Sequence, residues 1–122
     1  MKVLNNDHCV FFDVDGTLVM WEESERYNER LIIDDPYSAE VETVYVNTDH
    51  VMLLKKMSNR GKFIVVWSHG GAKWAEAVIQ ALDLKKYVDV CMAKVEDFVD
   101  DTPWDKWTIK NLYLKRFGSY EE

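Results

Sequence analysis

VFFDVDGTLV, at residues 10–19, joins an apolar run to two aspartates, a glycine and a threonine. Residues 8–14 favour a short buried β-strand, because they combine apolar and β-forming side chains. Asp13 and Asp15 lie two residues apart, and on an extended chain that spacing puts both side chains on the same side. The stretch therefore predicts a pair of carboxylates at the end of a buried strand, both facing one small ligand.

Strands and helical patterns alternate through the rest of the chain. This alternation predicts an α/β fold: one domain over residues 1–122, with a Rossmann-like three-layer parallel sheet and helices on both faces. The strands are predicted at 62–68, 87–92, 97–101 and 109–114, and the helices at 48–59 with Thr48 as N-cap, at 70–84, and from Thr102 with Pro103 in the first position.

Residues 20–47 interrupt this alternation between the first strand and its crossover helix. Two β-like runs, Arg30–Asp34 and Val41–Val46, flank the turn-forming sequence DDPYSAE. We therefore expect a short β-hairpin flap after the first strand. Residues 22–42 carry eight acidic against two basic side chains, so most of the net charge of −7 lies in this flap.

The composition is that of an ordinary globular protein, with 48% hydrophobic and 30% charged residues. No apolar run is long enough to span a bilayer, and the first residues lack a signal-peptide pattern, which predicts a cytoplasmic protein. Cys9 and Cys91 lie in apolar stretches and are expected to be small core residues rather than a disulfide. The acidic charge excludes a general attraction to nucleic acid, but it allows a nucleic-acid end to bind locally.

Polar side chains follow each of the predicted parallel strands. Ser68 follows the second strand, Lys94 lies just beyond the third, and Asp100–Asp101 follow the fourth. In open α/β sheets ligands bind at the carboxyl ends of the strands, so these residues are expected to share one pocket with Asp13 and its neighbour. Converging carboxylates repel one another, and a bound cation relieves this repulsion. Oxygen ligands in this number suit Mg²⁺ together with a substrate phosphate.

The motifs that carry these residues resemble those of the haloacid dehalogenase superfamily, whose members are mostly Mg²⁺-dependent phosphatases. DVDGTL resembles the first motif, IVVWS the second, and AKVEDFVDD the third and fourth, in which a lysine is followed by an acidic pair. The motifs appear in the family's order and span Asp13 to Asp101. One departure is Val95, which follows the lysine where many relatives have proline.

The resemblance implies a role for each catalytic residue. Asp13 corresponds to the nucleophile that forms an aspartyl-phosphate, and Asp15 to the general acid and base. Lys94 would neutralise charge on the phosphoryl group and on the nucleophile. The metal ligands implied by the resemblance are side-chain carboxylates and the backbone carbonyl of the second aspartate, and they come from Asp13, Asp15, Asp100 and Asp101. Which member of the last pair binds the metal directly stays open.

Other residues are candidates for substrate binding. Thr17 and Ser68 are expected to donate hydrogen bonds to phosphoryl oxygens. His69 either contacts substrate or has only a structural role in its loop. Gly70 begins a glycine pair before a helix, where backbone N–H groups can face a phosphate.

Taken together, the resemblance implies a Mg²⁺-dependent phosphomonoester hydrolase. Relatives carry cap domains after the first or second motif, and the insertion at 20–47 is too short for one, so we expect a capless member. An open crevice suits a bulky phosphate such as a nucleotide, a nucleic-acid end or a phosphoprotein, and similar small proteins include polynucleotide phosphatase domains and bacteriophage proteins. An oligomeric partner is a further way to supply a lid.

Three alternatives remain beside this interpretation. The first is a non-catalytic module that binds metal or phosphate on the same fold and has a regulatory role. The second is a DxDG sequence that forms only a turn or part of a Ca²⁺ loop. The third is phosphoryl transfer to an acceptor other than water, or dehalogenation. Asp15 disfavours dehalogenation, because a general acid at this position serves a phosphate ester's leaving group.

Overall fold

The computed structural model describes residues 5–107 and 109–114, with side-chain burial from residue 8 onward. Its elements are the following: β1 (Asn5–Asp13), β2 (Val19–Met20), β3 (Arg30–Asp34), β4 (Val41–Val46), α1 (Thr48–Asn59), β5 (Lys62–Ser68), α2 (Ala72–Ala81) and β6 (Val90–Ala93). Two short 3-10 turns, Lys85–Tyr87 and Trp104–Lys106, complete the description. No helix within these ranges is long and apolar enough to cross a membrane.

The central sheet is parallel and has the strand order β1-β5-β6. Asp13 at the end of β1 pairs with Trp67, and Ser68 at the end of β5 pairs with Ala93 of β6. The prediction of a parallel α/β sheet is therefore confirmed, and β5 has the predicted bounds. The third strand begins three residues later than predicted, because Lys85–Tyr87 form a 3-10 turn.

Both helices pack on one face of this sheet. Phe12 and Val14 of the first strand and its turn join one buried cluster with Ile64 and Val66, and the buried apolar side chains of α1 and α2 belong to the same cluster. The strand order runs in one direction, and right-handed crossovers then place consecutive helices on the same side. The predicted three-layer arrangement is therefore not seen in the described residues.

The opposite face of the sheet is partly open. Phe11 is 45% exposed and contacts the Trp67 ring at a centroid distance of 4.4 Å, and Val90 is 38% exposed. Cys9 lies on this face and is exposed, so the expectation that it belongs to the core is wrong. Cys91 is half-buried, and burial raises the pKa of its thiol. Both thiols are free.

A second sheet is antiparallel, with the strand order β2-β4-β3. The two strands of the predicted hairpin, β3 and β4, are present with the predicted bounds. Ile33 and Val44 are buried in the main core, so one side of this hairpin is covered by the rest of the chain. Arg26 and the Tyr27 hydroxyl both hydrogen-bond to Asp49 in the first turn of α1, and the Arg26 contact lowers the pKa of that carboxyl group.

The two helices begin in different ways. Helix α1 has the predicted bounds, but Asn47 rather than Thr48 is its N-cap, since its side chain accepts the His50 backbone N–H at 3.1 Å. Helix α2 is shorter than the predicted 70–84. It begins after Gly71, which has a φ of +96°, and a Cβ atom at that position would collide with the Tyr37 hydroxyl.

The predicted elements beyond β6 are largely not formed. The described residues show no strand at 97–101 or at 109–114, and the expected helix after Thr102 is limited to the 3-10 turn Trp104–Lys106. Three of the apolar side chains here do not reach the core, since Val99 is fully exposed and Trp104 and Ile109 are each 69% exposed. Leu112 and Leu114 are partly buried and pack against the core without forming a strand. Short apolar runs form strands only where they pair with a neighbouring strand and bury their apolar side chains in a core.

Candidate active site

The turn after β1 sets the geometry of the site. Gly16 has a φ of +79°, a conformation that favours glycine, and its N–H donates to the Val19 carbonyl at 2.8 Å. The Leu18 N–H donates to the Val14 carbonyl at 2.9 Å. The side chains of Val14, Leu18 and Val19 are fully buried. The turn is therefore anchored in the core, and it presents its two aspartates at the carboxyl edge of the sheet.

Asp13 lies between a hydroxyl group and an ammonium group. The Thr17 hydroxyl donates to Oδ2 at 3.1 Å, and Lys94 Nζ lies 3.6 Å from Oδ1. The backbone N–H of Lys94 donates to the Ser68 carbonyl at 2.9 Å, which ties the lysine to the end of the neighbouring strand. The structure thus brings together Asp13 and Thr17 of the first motif and Lys94 of the third.

Asp15 accepts three hydrogen bonds from three other parts of the chain. The Ser68 hydroxyl donates to Oδ2 at 3.2 Å. The indole N–H groups of Trp21 and Trp74 both donate to Oδ1, at 3.0 and 3.1 Å. Neither tryptophan belongs to a sequence motif that predicts the site. Trp74 fits the apolar face of α2, and no local signal indicates that its N–H reaches a carboxylate 59 residues away in sequence.

Ser68 is fully buried and organises the loop that follows β5. Its hydroxyl accepts the Gly70 N–H at 2.9 Å, and a Cβ at Gly70 would lie 2.9 Å from a ring carbon of Trp74. Glycine at this position therefore permits the close approach of the Trp74 ring. His69 and Gly70 are exposed beside this serine, and their contact with substrate stays a prediction.

Asp100 and Asp101 are exposed, and their carboxylates accept hydrogen bonds from Thr102. Across residues 5–107 and 109–114, no group of three or more His, Cys, Asp or Glu side chains is placed to hold a metal ion. The side-chain and backbone oxygens at Asp13 and Asp15 suit Mg²⁺ chemically, but these two residues do not complete its shell. The predicted meeting of four aspartates is therefore not seen in the described residues.

His50 connects the turn after β1 to the last described residues. Its Nε2 accepts the Leu114 backbone N–H at 2.7 Å, so Nδ1 carries the proton and donates to the Thr17 carbonyl at 2.8 Å. The Tyr113 hydroxyl donates to the Gly16 carbonyl at 3.1 Å. Burial lowers the pKa of His50, which favours the neutral ring that these contacts require. His50 is structural, as expected, and it supports the turn that carries both aspartates.

Comparison with known protein families identifies the family of this chain. Residues 8–116 match the NLI interacting factor-like phosphatase family, which covers most of the chain and includes every residue assigned to the site. No curated protein and no solved structure matches the chain. The chain therefore belongs to the NLI interacting factor-like phosphatase family of the haloacid dehalogenase superfamily and is a phosphatase that hydrolyses phosphomonoesters.

Proposed function

We propose that the chain is a Mg²⁺-dependent phosphomonoester hydrolase that forms an aspartyl-phosphate on Asp13. The observation that carries this proposal is the placement of that carboxylate. It lies at the carboxyl end of β1, an edge strand of the parallel sheet, is itself half-buried, and has the Thr17 hydroxyl and the Lys94 ammonium at its two oxygens. A carboxylate attacks an anionic phosphate only when nearby positive charge and hydrogen-bond donors reduce their mutual repulsion.

In the first step a carboxylate oxygen of Asp13 attacks phosphorus, and the bond from phosphorus to the leaving oxygen breaks. Asp15 gives its proton to that leaving oxygen, and the alcohol departs. Lys94 interacts with the charge that is spread over the phosphoryl oxygens. The Thr17 and Ser68 hydroxyls lie beside the two aspartates and donate hydrogen bonds to the same oxygens.

In the second step a water molecule attacks the phosphorus of the aspartyl-phosphate. The Asp15 carboxylate takes a proton from this water, and the bond between phosphorus and the Asp13 oxygen breaks. Inorganic phosphate leaves, and both aspartates return to their starting protonation states. One carboxyl group thus serves as the acid in the first step and as the base in the second.

Magnesium is part of the proposal. The side chain of Asp13 and the backbone carbonyl of Asp15 would hold the ion, together with Asp100 or Asp101. When bound, the ion reduces the negative charge of the phosphate and of the nucleophile. All of these ligands are argued from the family motif.

For the substrate, we propose a phosphate on a bulky leaving group, such as a nucleotide, a nucleic-acid end or a phosphoprotein. The two carboxylates are only partly buried, so a large leaving group has space outside the crevice. The acidic side chains of residues 22–42 repel a long polyanion, which limits nucleic acid to local binding of an end.

The proposal is tested by hydrolysis of 4-nitrophenyl phosphate, a nucleotide panel and a phosphopeptide, with Mg²⁺ and with EDTA. Asp13→Asn is expected to lower the rate by at least about 10³-fold, since the nucleophile is lost. Asp105→Asn, at an exposed carboxylate, is the matched control and is expected to keep the wild-type rate. Equal rates in wild type and Asp13→Asn would overturn the proposal, and binding of phosphate without turnover would favour the non-catalytic module.

The covalent intermediate needs its own measurement. Rapid acid quenching of turnover with a radiolabelled phosphomonoester is expected to trap label on the protein. Hydroxylamine is expected to release that label, because it cleaves acyl-phosphates and leaves phosphoserine intact. Label that resists hydroxylamine, or that persists in Asp13→Asn, would contradict the aspartyl-phosphate.

A further inference from the structure

The Asp15 carboxyl group is held by three elements that are distant in sequence. Trp21 directly follows β2, Trp74 lies in the first turn of α2, and Ser68 ends β5. The two indole rings lie 21° from parallel with centroids 6.0 Å apart, and both N–H groups end on the same oxygen, Oδ1. The serine hydroxyl faces the other oxygen, Oδ2.

We propose that Trp21 and Trp74 are positioning residues that hold the Asp15 carboxyl group in one orientation and direct its transferable proton to Oδ2. This inference rests on the proposed role of Asp15 as general acid and base. An indole N–H only donates, so an oxygen that already faces two such groups has no acceptor for a proton of its own. A hydroxyl both donates and accepts, so the oxygen that faces Ser68 accommodates the proton.

The two tryptophans differ in burial, and the fold therefore holds their N–H groups to different degrees. Trp74 is 6% exposed and packs in the core, so its N–H is fixed by the fold. Trp21 is 47% exposed, and it reaches the carboxyl group from the first residue after β2. Hydrogen bonds to an ionised carboxylate are stronger than those between neutral groups, and two of them from stacked rings restrict rotation of the carboxyl plane. A general acid with a fixed orientation needs less reorganisation before it transfers its proton.

The geometry is tested without turnover, by NMR of the five tryptophan indole groups in metal-free protein. The indole resonance that disappears in Trp21→Phe belongs to the site residue Trp21, and the one that disappears in Trp104→Phe belongs to the control residue Trp104. The Trp21 and Trp74 indole protons are expected downfield of the Trp104 proton, and Asp15→Ala is expected to move both upfield while the Trp104 resonance stays in place. Resonances of Trp21 and Trp74 that do not move in Asp15→Ala would overturn the proposal.

The catalytic consequence is tested by the choice of leaving group. A poor alkyl leaving group needs the proton of the general acid, whereas 4-nitrophenolate departs with little help. Trp21→Phe keeps an aromatic ring and removes the N–H donor together with part of the indole. We expect kcat/KM for an alkyl phosphomonoester to fall about tenfold and kcat/KM for 4-nitrophenyl phosphate to stay within about twofold. Asp15→Asn should show the same pattern with a larger loss, and Trp104→Phe should change neither value.

The outcomes separate this inference from the proposed function. If turnover depends on Asp13 and Trp21→Phe lowers kcat/KM for both substrates equally, or for neither, the positioning role is overturned and the hydrolase proposal stands. If wild type and Asp13→Asn are equally inactive, the hydrolase proposal fails and the catalytic part of this role fails with it. Trp74→Phe is a second variant for the same comparison, once circular dichroism shows that this core position still folds.

Discussion

The turn at residues 13–21 and the segment at 95–107 both carry acidic motif residues, but the rest of the chain holds them very differently. In the turn, Val14, Leu18 and Val19 are fully buried, and both aspartates contact other elements. In the segment every residue is exposed, and its described hydrogen bonds stay within it. The first region is anchored by the core, and the second depends on its own local turns.

This difference separates two tasks within one proposed site. The groups proposed to handle the phosphoryl group and its protons lie at the carboxyl ends of the parallel strands, and the buried Trp74 of α2 contacts one of them. The acidic pair assigned to the metal lies on a segment with few buried contacts, and such segments open at low free-energy cost. We infer that the proposed nucleophile Asp13 and the proposed general acid Asp15 are preorganised, whereas the position of the acidic pair is not determined by packing.

The largest expected effect concerns the acidic pair itself. Asp100→Asn or Asp101→Asn is expected to lower kcat/KM on the order of 10³-fold and to weaken stimulation by Mg²⁺, since a bound metal supplies several kcal/mol of charge stabilisation. Asp97→Asn, in the same exposed segment, is the control and should change little. Steady-state rates across a Mg²⁺ titration give the result. If neither variant of the pair changes the Mg²⁺ response, the segment has no metal-binding role. The turn and the segment then differ only in how stably the rest of the chain holds them.

The next effect concerns the support of the anchored turn. His50→Ala is expected to lower the free energy of unfolding by about 3 kcal/mol, because it leaves a cavity and two backbone groups without partners. Urea denaturation followed by circular dichroism measures this change. The exposed His69→Ala is the matched control, with an expected effect within about 0.5 kcal/mol. Similar midpoints for the two variants would show that His50 does not support the turn.

A pair of identical substitutions compares the two regions directly. Val19→Ala removes two buried methyl groups from the turn and is expected to cost about 2 kcal/mol of unfolding free energy. Val99→Ala makes the same chemical change at a fully exposed position and is expected to stay within about 0.5 kcal/mol. A comparable loss in both variants would mean that the 95–107 segment packs against the core in solution.

The smallest expected effect is the dependence of stability on pH. Burial lowers the pKa of folded His50 below its ordinary value near 6.5, so the unfolded chain binds this proton more readily than the folded chain. The contribution is fully present above about pH 6.5 and is lost as the pH falls from there through the lowered folded value. We expect a loss of about 1 kcal/mol between roughly pH 7.5 and 5.5. Urea denaturation at each pH measures it, and a slope that is unchanged in His50→Gln would contradict this assignment.

Local patterns were enough for several features of this protein. The alternating and continuous apolar runs predicted the bounds of β3, β4 and β5, and helical periodicity predicted those of α1. The motifs also predicted that polar side chains meet at the strand ends, where the structure places Lys94 beside Asp13 and Ser68 beside Asp15, while their roles stay predictions. These signals succeed because strand and helix periods, glycine turns and motif spacing are properties of a few consecutive residues.

Other features depend on contacts between distant parts of the chain, and no short window of residues contains them. The strand order places both helices on one face, Asn47 caps α1 in place of its neighbour, and two indole groups converge on Asp15. The 95–107 segment has strand-like composition but no core to receive it in the described residues. Each outcome is decided by which surfaces meet in three dimensions, since a hydrogen bond or a buried face needs a partner that the local sequence does not specify.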